Sequence, residues 1–229
     1  TEFTTQSVIA VPLVSRDRSL GVIELVNRKG AAPFDRDDLR AVTAIADYAA
    51  IAIENARNFK KVQELTLVDE HTHLYNARYL VSALDREIER AQRFARPVSL
   101  LFMDIDQFKQ VNDAHGHLVG SGLLKAIGKA LLESVRSVDS VCRYGGDEFA
   151  VLLLETHLDR AKVVAERIRH NVASREFAID GVTVKVTVSV GFATFPEHGK
   201  TGRALLQAAD QAMYAAKAAG KNAVAGAAA

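Results

Sequence analysis

The sequence predicts an α/β chain in which acid-bearing strands are flanked by amphipathic helices, preceded by a smaller strand-and-helix piece. Three observations carry this. Residues 100–106, Leu-Leu-Phe-Met-Asp-Ile-Asp, form an apolar run that stops at two acids, as in a buried strand delivering carboxylates at its C-terminal end. Residues 143–154 place Gly145, Gly146, Asp147 and Glu148 between apolar runs, as at the tip of a hairpin. Helical periodicity marks residues 35–67 and 123–135.

The elements follow in order. Residues 7–14 and 20–26 are strand-like runs around a charged turn at Arg16 to Arg18. Phe34-Asp-Arg-Asp-Asp38 then opens a helix with acids in its first turn, reaching about Leu67. Its Leu39, Val42, Ala46, Ala49, Ile53 and Ala56 recur at alternating spacings of three and four. That seam serves either the helix's own sheet or a parallel partner helix, and beyond Arg57 the helix is a connector. The portion resembles the C-terminal half of a GAF sensory domain ending in IAIENARNF (51–59). The expected division is strands at 1–34, a connector and dimerisation helix at 35–68, and a larger domain at 69–229.

The larger domain opens with Asp69-Glu-His-Thr-His-Leu, where His71 and His73 form either a solvent-facing turn or half of a transition-metal site. In the strand at 100–106, Asp104 and Asp106 are two apart and so share a face, with the Ile105 carbonyl between them. If this strand lies beside the 144–154 hairpin, Asp104, Asp147 and Glu148 converge into a hard-oxygen set suited to Mg²⁺. Gly145 and Gly146 are expected to take positive φ in a primed turn and to admit a ligand close to the backbone. Residues 108–121 read as a polar segment leading into the helix at 123–135. In it Lys109 can neutralise phosphate charge, and Asn112 can read a base edge with paired donor and acceptor atoms. Lys217 and Lys221, four apart at the end of the last helix, form either a polyphosphate clasp on one face or a basic C-terminus favoured by the helix dipole. Cys142 is a core thiol with no internal disulfide partner.

From about Leu67 to Val224 the chain resembles the GGDEF family of nucleotide cyclases. RYGGDEF (143–149), DIDQFKQVNDAHGH (104–117), VTVSVGFATF (186–195) and ADQAMYAAKAAGKN (209–222) occur in the family's order. The resemblance implies an α+β palm-like fold, with a central, mostly antiparallel sheet flanked by helices. It further implies metal ligation by Asp104, the Ile105 carbonyl and Glu148, with Mg²⁺ as the ion and Mn²⁺ as an alternative. Asp147, Glu148, Lys217 and Lys221 are the implied catalytic set. Lys109, Asn112, His117, Gly145, Gly146 and position 121 are the implied nucleotide contacts. Arg136-Ser-Val-Asp139, nine residues before Gly145, resembles the family's RxxD product-inhibition motif, with Arg167 as a second contact; read by itself it is a local ion pair. Two domains, each with one nucleoside triphosphate, must face one another for each 3′-hydroxyl to attack the other's α-phosphate, so a homodimer through the connector helix is implied.

Three departures from the family pattern stand out, the first being His71 and His73 where the family usually has an apolar residue and a glycine. Lys221 occupies a position where arginine is common, which keeps the charge and loses a planar fork. In Gly116-His-Leu-Val-Gly-Ser121, Ser121 stands where the family usually has aspartate. A carboxylate only accepts and so matches guanine's N1–H and N2–H₂; a hydroxyl both donates and accepts. Ser121 resembles the hybrid promiscuous branch, which implies GTP and ATP as substrates and cyclic GMP-AMP as a product beside cyclic di-GMP. The alternatives are a strictly GTP-specific diguanylate cyclase, or a silent nucleotide-binding module; the intact GGDEF signature and metal acids favour an enzyme.

Composition bounds the rest. A net charge of +1 without a basic stripe argues against nucleic acid as the main partner. No apolar run of membrane-spanning length and no signal peptide appear, so the expected location of this piece is the cytoplasm.

Overall fold

The computed structural model describes residues 4–15, 18–29, 33–65 and 67–228, with the helix from 60 to 65 in backbone only. The chain divides into two compact units, Thr1–Thr66 and Leu67–Ala229. In the first, β1 (Val8–Ser15) and β2 (Arg18–Val26) pair antiparallel. Arg16 and Asp17 of the expected turn lie outside the described residues; Arg18 opens β2. The helix α1 (Arg36–Leu65) starts at a cap built by Asp35, whose Oδ1 accepts the N–H groups of Asp37 and Asp38 at 2.8 and 2.9 Å. Asp38 returns the bond through the N–H of Asp35 at 3.0 Å, closing a capping box.

The seam expected on α1 is divided. Val42 and Ala46, with Ala50, are buried against Ile9, Val11 and Leu13 of β1, and Ala49 and Ile53 pack beside them. Leu39 and Ala56 are exposed. The first half of the seam therefore serves the helix's own sheet. A second stripe, Ile45, Tyr48, Ala52 and Phe59, faces solvent with Tyr48 77% exposed.

The second unit runs β3 (Tyr75–Asn76), α2 (Ala77–Phe94), β4 (Val98–Ile105), α3 (Phe108–Glu133), β5 (Ser140–Gly145), β6 (Glu148–Leu154) and α4 (Leu158–Ala173). A small hairpin of β7 (Phe177–Ile179) and β8 (Val182–Val184), then β9 (Val188–Phe195), α5 (Gly202–Ala218) and β10 (Val224–Gly226), complete it. Six strands form one sheet in the order β10-β9-β4-β6-β5-β3. Its three central pairings are antiparallel and its two edge pairings parallel, as the mostly antiparallel sheet required.

Every residue of β4 is buried, because helices cover both faces of the sheet. Alternation sends Leu101, Met103 and Ile105 into a core with α3 and α4. Leu100 and Phe102 go to the opposite core, with Leu84 of α2 and Met213 of α5. Cys142 lies in that second core, and burial pushes its thiol up to about 12, as befits an inert core residue.

The segment 108–121 is helical, contrary to the expected polar lead-in. It forms the first turns of α3, interrupted at Gly116, where φ 83° and ψ 164° break the ladder. Only glycine adopts that conformation without steric cost. Gly191 serves a different purpose. A Cβ there would stand 2.1 Å from both the carbonyl oxygen of Ala209 and the amide nitrogen of Met213, so α5 lies directly on β9. Gly191→Ala should destabilise this unit by about 1–3 kcal/mol, since backbone rather than a movable side chain is struck. Chemical denaturation measures this; wild-type stability would contradict the close approach.

Candidate active site

The hairpin tip is a two-residue loop, Gly146 and Asp147, between paired Gly145 and Glu148, with Tyr144 bulged out of register. Left-handed φ occurs at Gly146 (54°) and not at Gly145. This is the sign pattern of a type II′ turn, so one glycine and not both supplies the positive φ. Gly145 contributes bareness instead: a Cβ at either glycine would meet nothing within 4 Å, leaving the backbone open to a ligand.

Arg143 braces this tip. Its Nε and Nη2 donate to the Gly146 carbonyl at 3.0 and 2.7 Å, and its Nη1 donates to both Asp69 carboxylate oxygens at 3.1 and 3.2 Å. Thr72 also donates to Asp69 Oδ1 through its N–H and hydroxyl, at 2.8 and 2.7 Å. Burial alone would raise the Asp69 carboxyl, but the Thr72 and Arg143 hydrogen bonds together hold it below the usual range. The segment around 69 is thus an anchor for the hairpin. His71 and His73 are exposed on that turn, and among the described residues no three His, Cys, Asp or Glu side chains group as metal ligands.

The β4–β6 register sets Asp104 directly opposite Glu148, and the Ile105 N–H donates to the Asp147 carbonyl at 3.3 Å. The convergence expected of Asp104, Asp147 and Glu148 is therefore met for Asp104 and Glu148, with Asp147 near enough for its charge to act on both, but the three do not group as metal ligands. Burial pushes the Asp104 carboxyl up, against the lowering pull of Lys217, and Asp147 adds to the rise. Burial likewise raises Glu148, followed by the charges of Asp104, Asp210 and Asp147. Like charges directly opposite on neighbouring strands are destabilising. Lys217 Nζ, 2.8 Å from Asp104 Oδ2, offsets part of this. Two carboxylates and the Ile105 carbonyl fit Mg²⁺, which takes most of its shell from water and phosphate. Asp106 does not join them. Its carboxylate accepts from Thr187 and Ser189 hydroxyls at 2.6 and 2.7 Å and from the Asn222 N–H at 2.9 Å, which makes it a structural tie.

Lys109 is exposed on the first turn of α3, and Asn112 is half-buried one turn on. Beyond the Gly116 break, a Cβ at Gly120 would lie 1.9 Å from Asn112 Oδ1, so the amide rests on the backbone next to half-buried Ser121. The break thus folds Asn112 back towards position 121. His117 is exposed beside the break. Lys221 does not share a helix face with Lys217. Helix α5 ends at Ala218, and Gly220, Lys221 and Asn222 all have left-handed φ (118°, 64° and 44°), so Lys221 sits on a turn beyond the helix.

Sequence reasoning missed two features. Arg143 carried no signal beyond its motif position, because its role depends on Asp69, distant in sequence. Asp210 borders, with Glu148, a groove of about 670 Å³ lined by Phe102, Tyr144 and Leu206. The lone acid in an otherwise alanine-rich stretch of α5 was the available signal.

At Arg136 the guanidinium is engaged on one edge. Nε and Nη2 donate to the two Asp139 oxygens at 3.1 and 3.0 Å, and Nη2 also donates to the Leu154 carbonyl and Thr156 hydroxyl, both at 2.9 Å. The Asp139 side chain is 2% exposed and takes the Leu154 N–H as well, so it orients Arg136 and faces inward. Arg167 Nε donates to the Ser134 carbonyl at 2.9 Å, close in the chain to Arg136.

Residues 66–223 match the family described as diguanylate cyclase, GGDEF domain, and residues 1–55 match the GAF domain family. The chain belongs to the GGDEF diguanylate cyclase family. It is 42% identical over 168 residues to the response regulator PleD of Caulobacter vibrioides, covering 72% of this chain and 37% of that protein. It is 32% identical over 226 residues to diguanylate cyclase A of Treponema denticola, covering 97% of this chain and 60% of that protein. The chain therefore spans less than two thirds of these relatives. The crystal structure of the coiled coil and GGDEF domain of DgcB from Caulobacter crescentus in complex with c-di-GMP superposes with a TM-score of 0.67 at 27% identity, covering 82% of this chain and 99% of that one.

A carboxyl whose folded pKa is raised contributes instability that grows as pH climbs from the unfolded carboxylate range through the raised value. Glu148→Gln removes one member of the opposed pair. Metal-free Glu148→Gln should be more stable than wild type at pH 7 by roughly 0.2–1 kcal/mol, while losing turnover. Thermal melting in a chelator tests this, and a less stable variant would contradict the repulsion.

Proposed function

We propose that the larger unit condenses two molecules of GTP into cyclic di-GMP with release of two pyrophosphates. The observation that carries this reading is the Asp104 and Glu148 pair set beside the bare glycine tip and Lys217. Asp104, Glu148 and the Ile105 carbonyl would hold Mg²⁺, with Mn²⁺ as an alternative. When bound, the ion lowers the pKa of the attacking hydroxyl and neutralises charge on the leaving pyrophosphate. Gly145 and Gly146 let phosphate oxygens reach the backbone. Lys109, Lys217 and Lys221 supply positive charge to the triphosphate, with Lys217 exchanging its partner Asp104 for phosphate. Asp147 at the tip takes the proton from the 3′-hydroxyl. Asn112, beside Ser121, holds the base, with His117 as a further contact.

Each 3′-oxygen attacks the α-phosphorus of the other nucleotide, so two domains must face each other. A homodimer through α1 provides this, using the exposed stripe at Ile45, Tyr48, Ala52 and Phe59 and not the residues occupied by β1. The coiled coil in the DgcB structure supports such a connector. The GAF-like unit is then an input domain whose rearrangement gates the encounter of the two catalytic domains. Among the described residues no helix is long and apolar enough to cross a membrane.

Ser121 favours a second reading, in which ATP is also accepted and cyclic GMP-AMP is formed. Loss of the base-facing carboxylate removes an unpaired-acceptor penalty against adenine of about 1–3 kcal/mol. Purified protein incubated with equimolar GTP and ATP, with products separated by mass, decides between them. On this reading Ser121→Asp abolishes the mixed product; cyclic di-GMP alone from wild type would rule it out.

Arg136 and Arg167 are the proposed feedback contacts for the cyclic dinucleotide, with Asp139 holding Arg136 in place. Added cyclic di-GMP should slow the enzyme and bind by calorimetry, and Arg136→Ala should weaken both effects at least tenfold, the scale of one charge-assisted contact. Unchanged inhibition in the variant would contradict the assignment.

A further inference from the structure

The turn after α5 is held from two directions by residues with no assigned part in the chemistry. Lys221 and Asn222 are consecutive non-glycine residues with left-handed φ. Such conformations persist only where the surroundings impose them. From below, the buried carboxylate of Asp106, two residues beyond Asp104, accepts the Asn222 N–H at 2.9 Å. From the side, Arg169 Nη1 on α4 donates to Asn222 Oδ1 at 2.9 Å. The Arg169 guanidinium is itself steadied by Glu166, one helical turn earlier, through Nε at 2.8 Å. Asp106 is further locked by Thr187 and Ser189, so the frame to which the turn is tied is rigid.

We infer that Arg169 is a positioning residue: through Asn222 it sets the left-handed turn that presents Lys221 to the triphosphate. Without the Arg169 bond, Asn222 keeps only its backbone contact to Asp106, and the strained turn relaxes with Lys221 free to point elsewhere. The effect should fall on binding of the β- and γ-phosphates and spare the base. This inference rests on the proposed phosphate role of Lys221.

The test measures the affinity of the intact chain for a Mg²⁺-loaded, non-hydrolysable GTP analogue by calorimetry, with GMP, which lacks those phosphates, as control. Arg169→Met keeps the aliphatic stem and removes the donors. It and Lys221→Ala should each weaken the analogue roughly tenfold (about 1.4 kcal/mol), the double variant should be no worse than Lys221→Ala alone, and GMP affinity should not move. Arg169→Lys should recover part of the loss, since an ammonium still donates to Asn222. Wild-type affinity in Arg169→Met, losses that multiply in the double variant, or an equal loss of GMP affinity would overturn the inference. If Lys221→Ala binds the analogue normally, the inference falls with the phosphate role of Lys221. Failure of wild type to form any cyclic dinucleotide is a separate result, and it would count against the cyclase reading.

Discussion

The register of β4 against β6 is the constraint on which the site depends. It sets Asp104 opposite Glu148 at one end of the sheet, a placement that costs stability to the extent that the two charges are left uncompensated. A slip of one residue would turn each acid to the other face and into the α3–α4 core. The buried apolar residues of both strands prevent that slip, because Leu101, Met103 and Val151 on one face and Leu100, Phe102 and Leu152 on the other each have a filled core to occupy. Hydrophobic packing remote from the site thus maintains an electrostatic arrangement that would not persist by itself.

Three further ties hold the surroundings of that pair. Arg143 pins the glycine tip to Asp69, so the bare backbone is open to ligand and yet fixed in place. Gly191 lets α5 settle onto β9 closely enough for Lys217 to reach Asp104. Asp106 joins the end of β4 to β9 and to the turn after α5. Each tie links elements far apart in sequence. The catalytic edge is therefore a product of the whole domain, with the hairpin motif as one part of it.

That distinction explains what was legible beforehand. The apolar run ending at Asp104 and the Gly-Gly tip are local patterns, and both became the elements they suggested. The α1 seam was visible as a period, but its partner was not, because own-sheet packing and dimer packing demand the same small and apolar residues; Val42 and Ala46 went to β1. The 108–121 segment was misread because its polar residues form an exposed helical face, and one glycine was enough to break the helix without ending it. The pairing of Lys217 with Lys221 failed because spacing predicts a shared face only while the helix continues, and α5 stops between them. The partners of Arg143, Asp106 and Arg169 were beyond reach, since each contact is set by tertiary placement.

The most direct measurement is anomalous diffraction from crystals grown with Mn²⁺ and a non-hydrolysable GTP analogue. A manganese peak within coordination distance of both the Asp104 and Glu148 carboxylates, about 2–2.4 Å for a hard ion of this kind, and bridging to phosphate oxygens at the glycine tip, is the expected result. A peak that touches neither carboxylate, or an ordered nucleotide with no metal between these acids, would contradict the assignment of this strand pair as the metal-binding edge.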